Sequence, residues 1–109
     1  MNSKDFIKKN IQDDNIDLIH KGFVRKHHGR SLYIYFISGN NIVFIEGELS
    51  GVPEYDFLIY AEYQSIDYYY DPLTDTFSKI SLDDRKLIQK KLIEWLTQEN
   101  IRNDIILGR

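Results

Sequence analysis

The residues of this chain with chemistry to offer are its acids and tyrosines, and they are bunched. From residue 46 to residue 84, ten carboxylates stand against one base, Lys79, and six of the eight tyrosines lie in the same stretch. Residues 1–45 carry seven bases and four acids, and residues 85–109 six bases and three acids. A like-charged patch repels itself and costs folding stability. A cationic partner relieves that repulsion, and complementary charge steers its approach. Tyrosine adds rigid contact area with a hydrogen-bonding tip and is enriched among interface hot spots. The carboxylates expected to face such a partner are Glu46, Glu48, Glu54, Asp56, Glu62, Asp67 and Asp71. Tyr60, Tyr68 and Tyr69 are the expected anchors. A competing reading is plain solubility, in which the basic chain ends neutralise the acids internally and the tyrosines are ordinary cross-strand packers.

Catalytic chemistry has little to work with. There is no cysteine, hence no thiolate nucleophile, disulfide framework or thiolate zinc site. The histidines are His20, His27 and His28. Adjacent histidines on a strand point to opposite faces and cannot share one metal. Glu46 and Glu48, two apart, share a strand face, but nothing around them gives the two carboxyls the different environments that acid–base work needs. No G-x-S-x-G elbow, Walker loop or G-x-G-x-x-G fingerprint is present. The chain is therefore expected to be no enzyme and to take no cofactor or metal. A small metal-dependent hydrolase using His27 and His28 with sheet carboxylates is one alternative. A regulatory domain that dimerises through a sheet edge or a tyrosine face is another. The net charge of −3 argues against nucleic-acid binding, although Lys21, Arg25, Lys26 and Arg30 cluster near the first turn.

These side chains need elements to position them. At 109 residues there is room for one domain, and 42% hydrophobic with 28% charged residues is an ordinary globular balance. Strands are predicted over Asp17–His27, Ser31–Ile37, Ile42–Glu48, Tyr55–Glu62 and Ile66–Tyr70 from their β-branched and aromatic alternation. Ser38-Gly39-Asn40-Asn41 reads as a hairpin loop, and strands joined this closely must be antiparallel. Ser81 caps the one clear helix, with Asp83 and Asp84 in its first turn and Ile88, Leu92, Trp95 and Leu96 as its apolar stripe. Leu87 and Ile93 are expected to widen that stripe, and Asn100 to stop the helix. Ser3 could cap a short N-terminal helix, and Ile105-Ile106-Leu107 could add a last strand or simply pack down. The expected fold is α+β: an antiparallel sheet of about five strands with the C-terminal helix on one face. The opposite face is expected to stay open and carry the alternating tyrosines. The longest near-apolar run is six residues, far short of the ~20 that span a bilayer, and no secretory signal follows the first lysines. A cytoplasmic protein without membrane contact is the expectation.

One resemblance joins these features. It rests on Ile45-Glu46-Gly47-Glu48-Leu49, then Tyr55 to Tyr60, then Ile66-Asp67-Tyr68-Tyr69, then Asp71-Pro72, then Ile80-Ser81 and the amphipathic helix. That order of elements resembles the small immunity proteins encoded beside bacterial polymorphic toxins, including contact-dependent growth-inhibition systems. The resemblance covers roughly the last two-thirds of the chain. It implies a protein that acts by binding, in a one-to-one complex with a cognate toxin domain, often a nuclease with a basic cleft. It carries over no catalytic residue.

Overall fold

The computed structural model describes residues 3–107. Among them the order is α1 (Lys4–Asp13), β1 (Gly22–His28), β2 (Ser31–Ser38), β3 (Asn41–Leu49), β4 (Phe57–Ala61), β5 (Tyr68–Asp71), β6 (Thr76–Lys79), α2 (Leu82–Gln98) and β7 (Asn103–Leu107). The chain is α+β, with a largely antiparallel sheet and a C-terminal helix, as its patterning predicts. The strands run β1-β2-β3-β4-β7 across the sheet. β5 pairs with the first half of β3, at Ile42–Tyr70, and with β6, while β4 takes the second half from Glu46 to Leu49. The last pairing, β4 with β7, is parallel. α2 lies between those two strands in sequence and helps provide the long connection that a parallel pair requires.

Local chemistry sets the boundaries. The Ser3 and Ser81 hydroxyls accept from the Phe6 and Asp84 amides at 3.1 and 3.2 Å, each satisfying a helix-end donor. Asn100 adopts a φ of 55° just past α2, the left-handed stop that asparagine tolerates. The hairpins between β1 and β2 and between β2 and β3 turn on Gly29 and Gly39, both at φ 60°. A residue with a side chain is strained at that first turn position.

α2 lays Ile88, Leu92 and Leu96 over Leu32, Ile34, Val43, Ile45, Ile59 and Ala61. Leu87 and Ile93 do not join the stripe; they are 48% and 40% exposed. Gln89 is buried instead, and its amide donates to the Ala61 carbonyl. Arg85 is also turned inward, donating to the Ile80 and Tyr63 carbonyls at 2.9 and 2.6 Å. The polar positions of α2 thus satisfy loop and strand-end carbonyls that the sheet ladder leaves unpaired.

The opposite face is not open throughout. α1 sets Ile7 and Ile11 against Tyr35, Ile37, Ile42, Phe44 and Tyr70, forming a second apolar cluster. Tyr35, expected on an open face, is fully buried. The predicted first strand begins late, at Gly22, because residues 16–21 form a turn-rich connection from α1. The β5–β6 hairpin closes at Asp75, a non-glycine residue at φ 53°, and β6 carries no apolar alternation that would announce it.

Gly47 sits where β2, β3 and β4 press together. A Cβ there would lie 2.9 Å from Ile59 Cδ1 and 3.0 Å from the Leu58 carbonyl oxygen. The side chain can rotate away, but the backbone oxygen cannot. Gly47→Ala is therefore expected to cost about 2 kcal/mol. Urea denaturation measures it, and an unchanged midpoint would refute the contact.

Candidate functional site: an acidic tyrosine surface

Residues directly opposite on paired strands share a sheet face. The register therefore spells out the part of the α1 face that lies beyond the second apolar cluster. One row across the sheet is Lys26, Tyr33, Glu46 and Tyr60. The next is His28, Ser31, Glu48 and Leu58. α1 reaches the first row at Tyr33, whose ring meets Phe6 edge-on at 6.2 Å and Phe44 at 5.1 Å.

Tyr60 is the hub of this surface. Its hydroxyl donates to Glu48 Oε1 at 2.6 Å. That bond, burial and the surrounding charges of Glu48, Glu46 and Glu62 push the hydroxyl up to about 12. Glu46, Glu48 and Glu62 thus act on one phenol together. Glu48 is exposed, whereas Glu46 is half-buried. Burial pushes the Glu46 carboxyl above its ordinary range, and the Glu48 charge adds to the effect. Glu62 also accepts from the Ser65 hydroxyl at 3.0 Å.

The Glu46 shift carries a sign for stability. A carboxyl held above its unfolded value adds stability at low pH that is lost as pH rises through the folded value. At neutral pH the ionised Glu46 side chain is a net cost. Glu46→Gln is expected to stabilise the chain by about 0.5 kcal/mol at neutral pH, with the gain fading below the ordinary carboxylate range. Unfolding midpoints at the two pH values decide this; equal midpoints at neutral pH would count against it.

The other acids and tyrosines expected at the site go elsewhere. Asp56 is paired with Arg102 at 2.8 Å, and that guanidinium holds its carboxyl below the usual range. Asp71 Oδ1 accepts from the Leu73 and Thr74 amides and so holds the β5–β6 turn. Tyr68 lies under the Lys4 ammonium, 4.7 Å from its ring centroid. Tyr69 packs against the α2-side core, and its hydroxyl reaches Asp84 at 3.4 Å. The Asp67 backbone carbonyl accepts from the Ile80 amide at 2.9 Å, linking the start of β5 to the approach to α2. Glu54 is exposed on the loop joining β3 to β4. The division follows from the fork at β3. Its second half brings in β4 with Tyr60, while β5 and β6 attach to its first half.

The histidines separate as adjacent strand residues must. His27 opposes Leu32, with its ring centroid 5.6 Å from that of Phe57. His28 lies on the other face, with Nε2 2.7 Å from Asp14 Oδ1. Among the described residues, no group of three His, Cys, Asp or Glu side chains is placed to hold a metal ion.

Two residues matter that were not among the expected site residues. Tyr33 stands beside Glu46, a placement that follows once its alternation is joined to the β2–β3 register. Asp14 reads as a helix breaker, yet its side chain is only 7% exposed. It also accepts from the Tyr35 hydroxyl at 2.6 Å. Burial, then this bond, pushes the Tyr35 hydroxyl far up. No spacing signal in the sequence links Asp14 to these partners.

No protein-family model, curated protein or solved structure matches the chain. Among the described residues, no helix is long and apolar enough to cross a membrane.

Proposed function

We propose that this chain is a non-enzymatic inhibitor of the immunity-protein kind, which binds a cognate toxin domain through Glu46, Glu48, Tyr60 and Glu62. The toxin surface it fits is a basic cleft, such as the substrate site of a nuclease, and the mechanism is occlusion. The observation that carries this reading is the pairing of Glu46 with Glu48. They share a strand face, one is partly desolvated, and neither forms a salt bridge among the described residues. Asp75 and Asp56, by contrast, are matched to Lys8 and Arg102 from the two ends of the chain. Like charges that share a tyrosine-bearing face without a salt bridge among the described residues cost stability that a cationic partner returns.

The lysine and arginine side chains of the toxin would meet the carboxylates, with Tyr33 and Tyr60 offering ring faces on either side of Glu46. The test is complex formation with the product of the adjoining gene. A one-to-one complex that blocks the toxin and associates more slowly as salt rises is the expected result. Absence of binding, or a rate indifferent to salt, would overturn the proposal.

A further inference from the structure

At the start of α1 the Lys4 ammonium lies 4.7 Å from the ring centroid of Tyr68 and 5.8 Å from that of Phe77. The two rings meet at 82° with centroids 6.1 Å apart, so they form two walls of a corner. Both distances fall within the ~6 Å over which an aromatic face attracts a cation. Lys8 and Lys9 pair with Asp75 and Asp13, whereas Lys4 has no carboxylate partner among the described residues. We propose that Tyr68 and Phe77 form a binding site for an ammonium group, filled by the chain's own Lys4 at rest and by a lysine of the cationic partner in the complex. The partner's part in this rests on the inhibitor reading above and deepens it, by giving one base of the toxin a defined seat.

The walls stand in place before any ligand arrives. Tyr68 opposes Lys79 and Tyr70 opposes Phe77 across the β5–β6 hairpin, which puts Tyr68, Tyr70 and Phe77 on one face. The Phe77 ring packs 4.7 Å from that of the buried Tyr70, whose hydroxyl donates to Asp75 at 2.7 Å. From Asp67 to Lys79 the hairpin carries three acids, Asp67, Asp71 and Asp75, against the single base Lys79. Its field therefore favours a cation, while an anion would meet the negative faces of both rings. A site already formed loses little entropy on binding.

The occupant follows from what is seated there and from what lies beside it. A lysine already fills the corner, so the walls suit a primary ammonium on a flexible stem. Lys4 is exposed and held by rings alone, a contact weak enough to be exchanged. Two residues on, the Phe6 ring meets Tyr33, which stands beside Glu46 in the acidic rows. The first turn of α1 thus separates the corner from those rows, and a basic protein seated on the rows has the corner at its border.

The corner is tested on the full chain alone with Nα-acetyl-lysine methylamide, read by the ring resonances of Tyr68 and Phe77. Lys4→Ala empties the corner and should bind this probe saturably, about five-fold tighter than the unmodified chain. Lys4→Ala/Tyr68→Ala should not bind it. No saturable shift in Lys4→Ala, or equal shifts from the uncharged norleucine analogue, would overturn the site. Tighter binding of tetramethylammonium than of the lysine probe would assign the corner to quaternary ammonium ligands and overturn the lysine assignment. Alanine suits a helix, and unshifted Tyr33 resonances verify that α1 stays docked in the variant. The partner's use of the corner is read separately, in the complex with the adjoining gene's product. Tyr68→Ala should speed dissociation about five-fold, and Tyr68→Phe, which keeps the ring, should dissociate at the unmodified rate. Dissociation of Tyr68→Ala at the unmodified rate would overturn the partner assignment and leave the inhibitor reading intact. Absence of any complex would overturn the inhibitor reading and the partner assignment together, while the probe titration still decides the site.

Discussion

Glu46→Lys/Glu48→Lys is expected to slow association with the toxin by roughly 100-fold at low salt. The two carboxylates lie two residues apart on one face of β3, and Tyr60 hydrogen-bonds to one of them. Reversing both changes the local charge by four units where Lys26 already stands in the same row as Glu46. Attraction becomes repulsion over a surface comparable to the Debye length, about 8 Å at physiological salt. Stopped-flow association across a salt series reads the effect. The unmodified chain should slow steeply as salt rises, while the reversed chain should be nearly flat or accelerate. The variant should not be grossly unstable, since the Glu46 charge is itself a cost to the fold at neutral pH. Equal association rates for the two chains would mean that the toxin docks elsewhere.

Asp14→Ala is expected to destabilise the chain by about 3 kcal/mol. Asp14 is the C-cap of α1, and its two carboxylate oxygens engage different strands: Oδ1 with His28 of β1 and Oδ2 with Tyr35 of β2. Truncation leaves the fully buried Tyr35 hydroxyl without its acceptor and frees the last turn of α1 from the sheet. Asp14→Asn keeps the shape and one acceptor oxygen, so it should cost less than half as much. Chemical denaturation of the two variants measures the difference. A loss under about 1 kcal/mol for the alanine variant would mean that the Tyr35 hydroxyl finds water instead. Loss of α1 would uncover the aromatic cluster beneath Ile7 and Ile11, so a rise in dye binding by exposed apolar surface should accompany the drop.

Much of the architecture was legible in the chain. Periodicity alone placed α2, because Ile88, Leu92 and Leu96 recur on one side of it. Serine chemistry marked both helix starts, and glycine marked the first hairpins, since those constraints act within a few residues. The shared face of Glu46 and Glu48 followed from the two-residue repeat of a strand, which holds whatever the strand pairs with. Patterning cannot say which strand becomes whose neighbour. β7 returns parallel to β4 after α2, and the β5–β6 hairpin docks on the first half of β3. That fork sends Tyr60 to the acidic rows, and it sends Tyr69 and Asp71 to other structural tasks.

By itself the sequence determined an α+β chain whose middle is overloaded with carboxylates and tyrosines. Charge balance and side-chain period are local properties and survive any rearrangement of neighbours. Only the tertiary structure decided which of those groups meet. α1 covers Tyr35, Arg102 neutralises Asp56, Lys8 neutralises Asp75, and Glu46 and Glu48 are left together around Tyr60. Each of those outcomes depends on contacts between residues far apart in the chain, whose pairing is set by packing free energy.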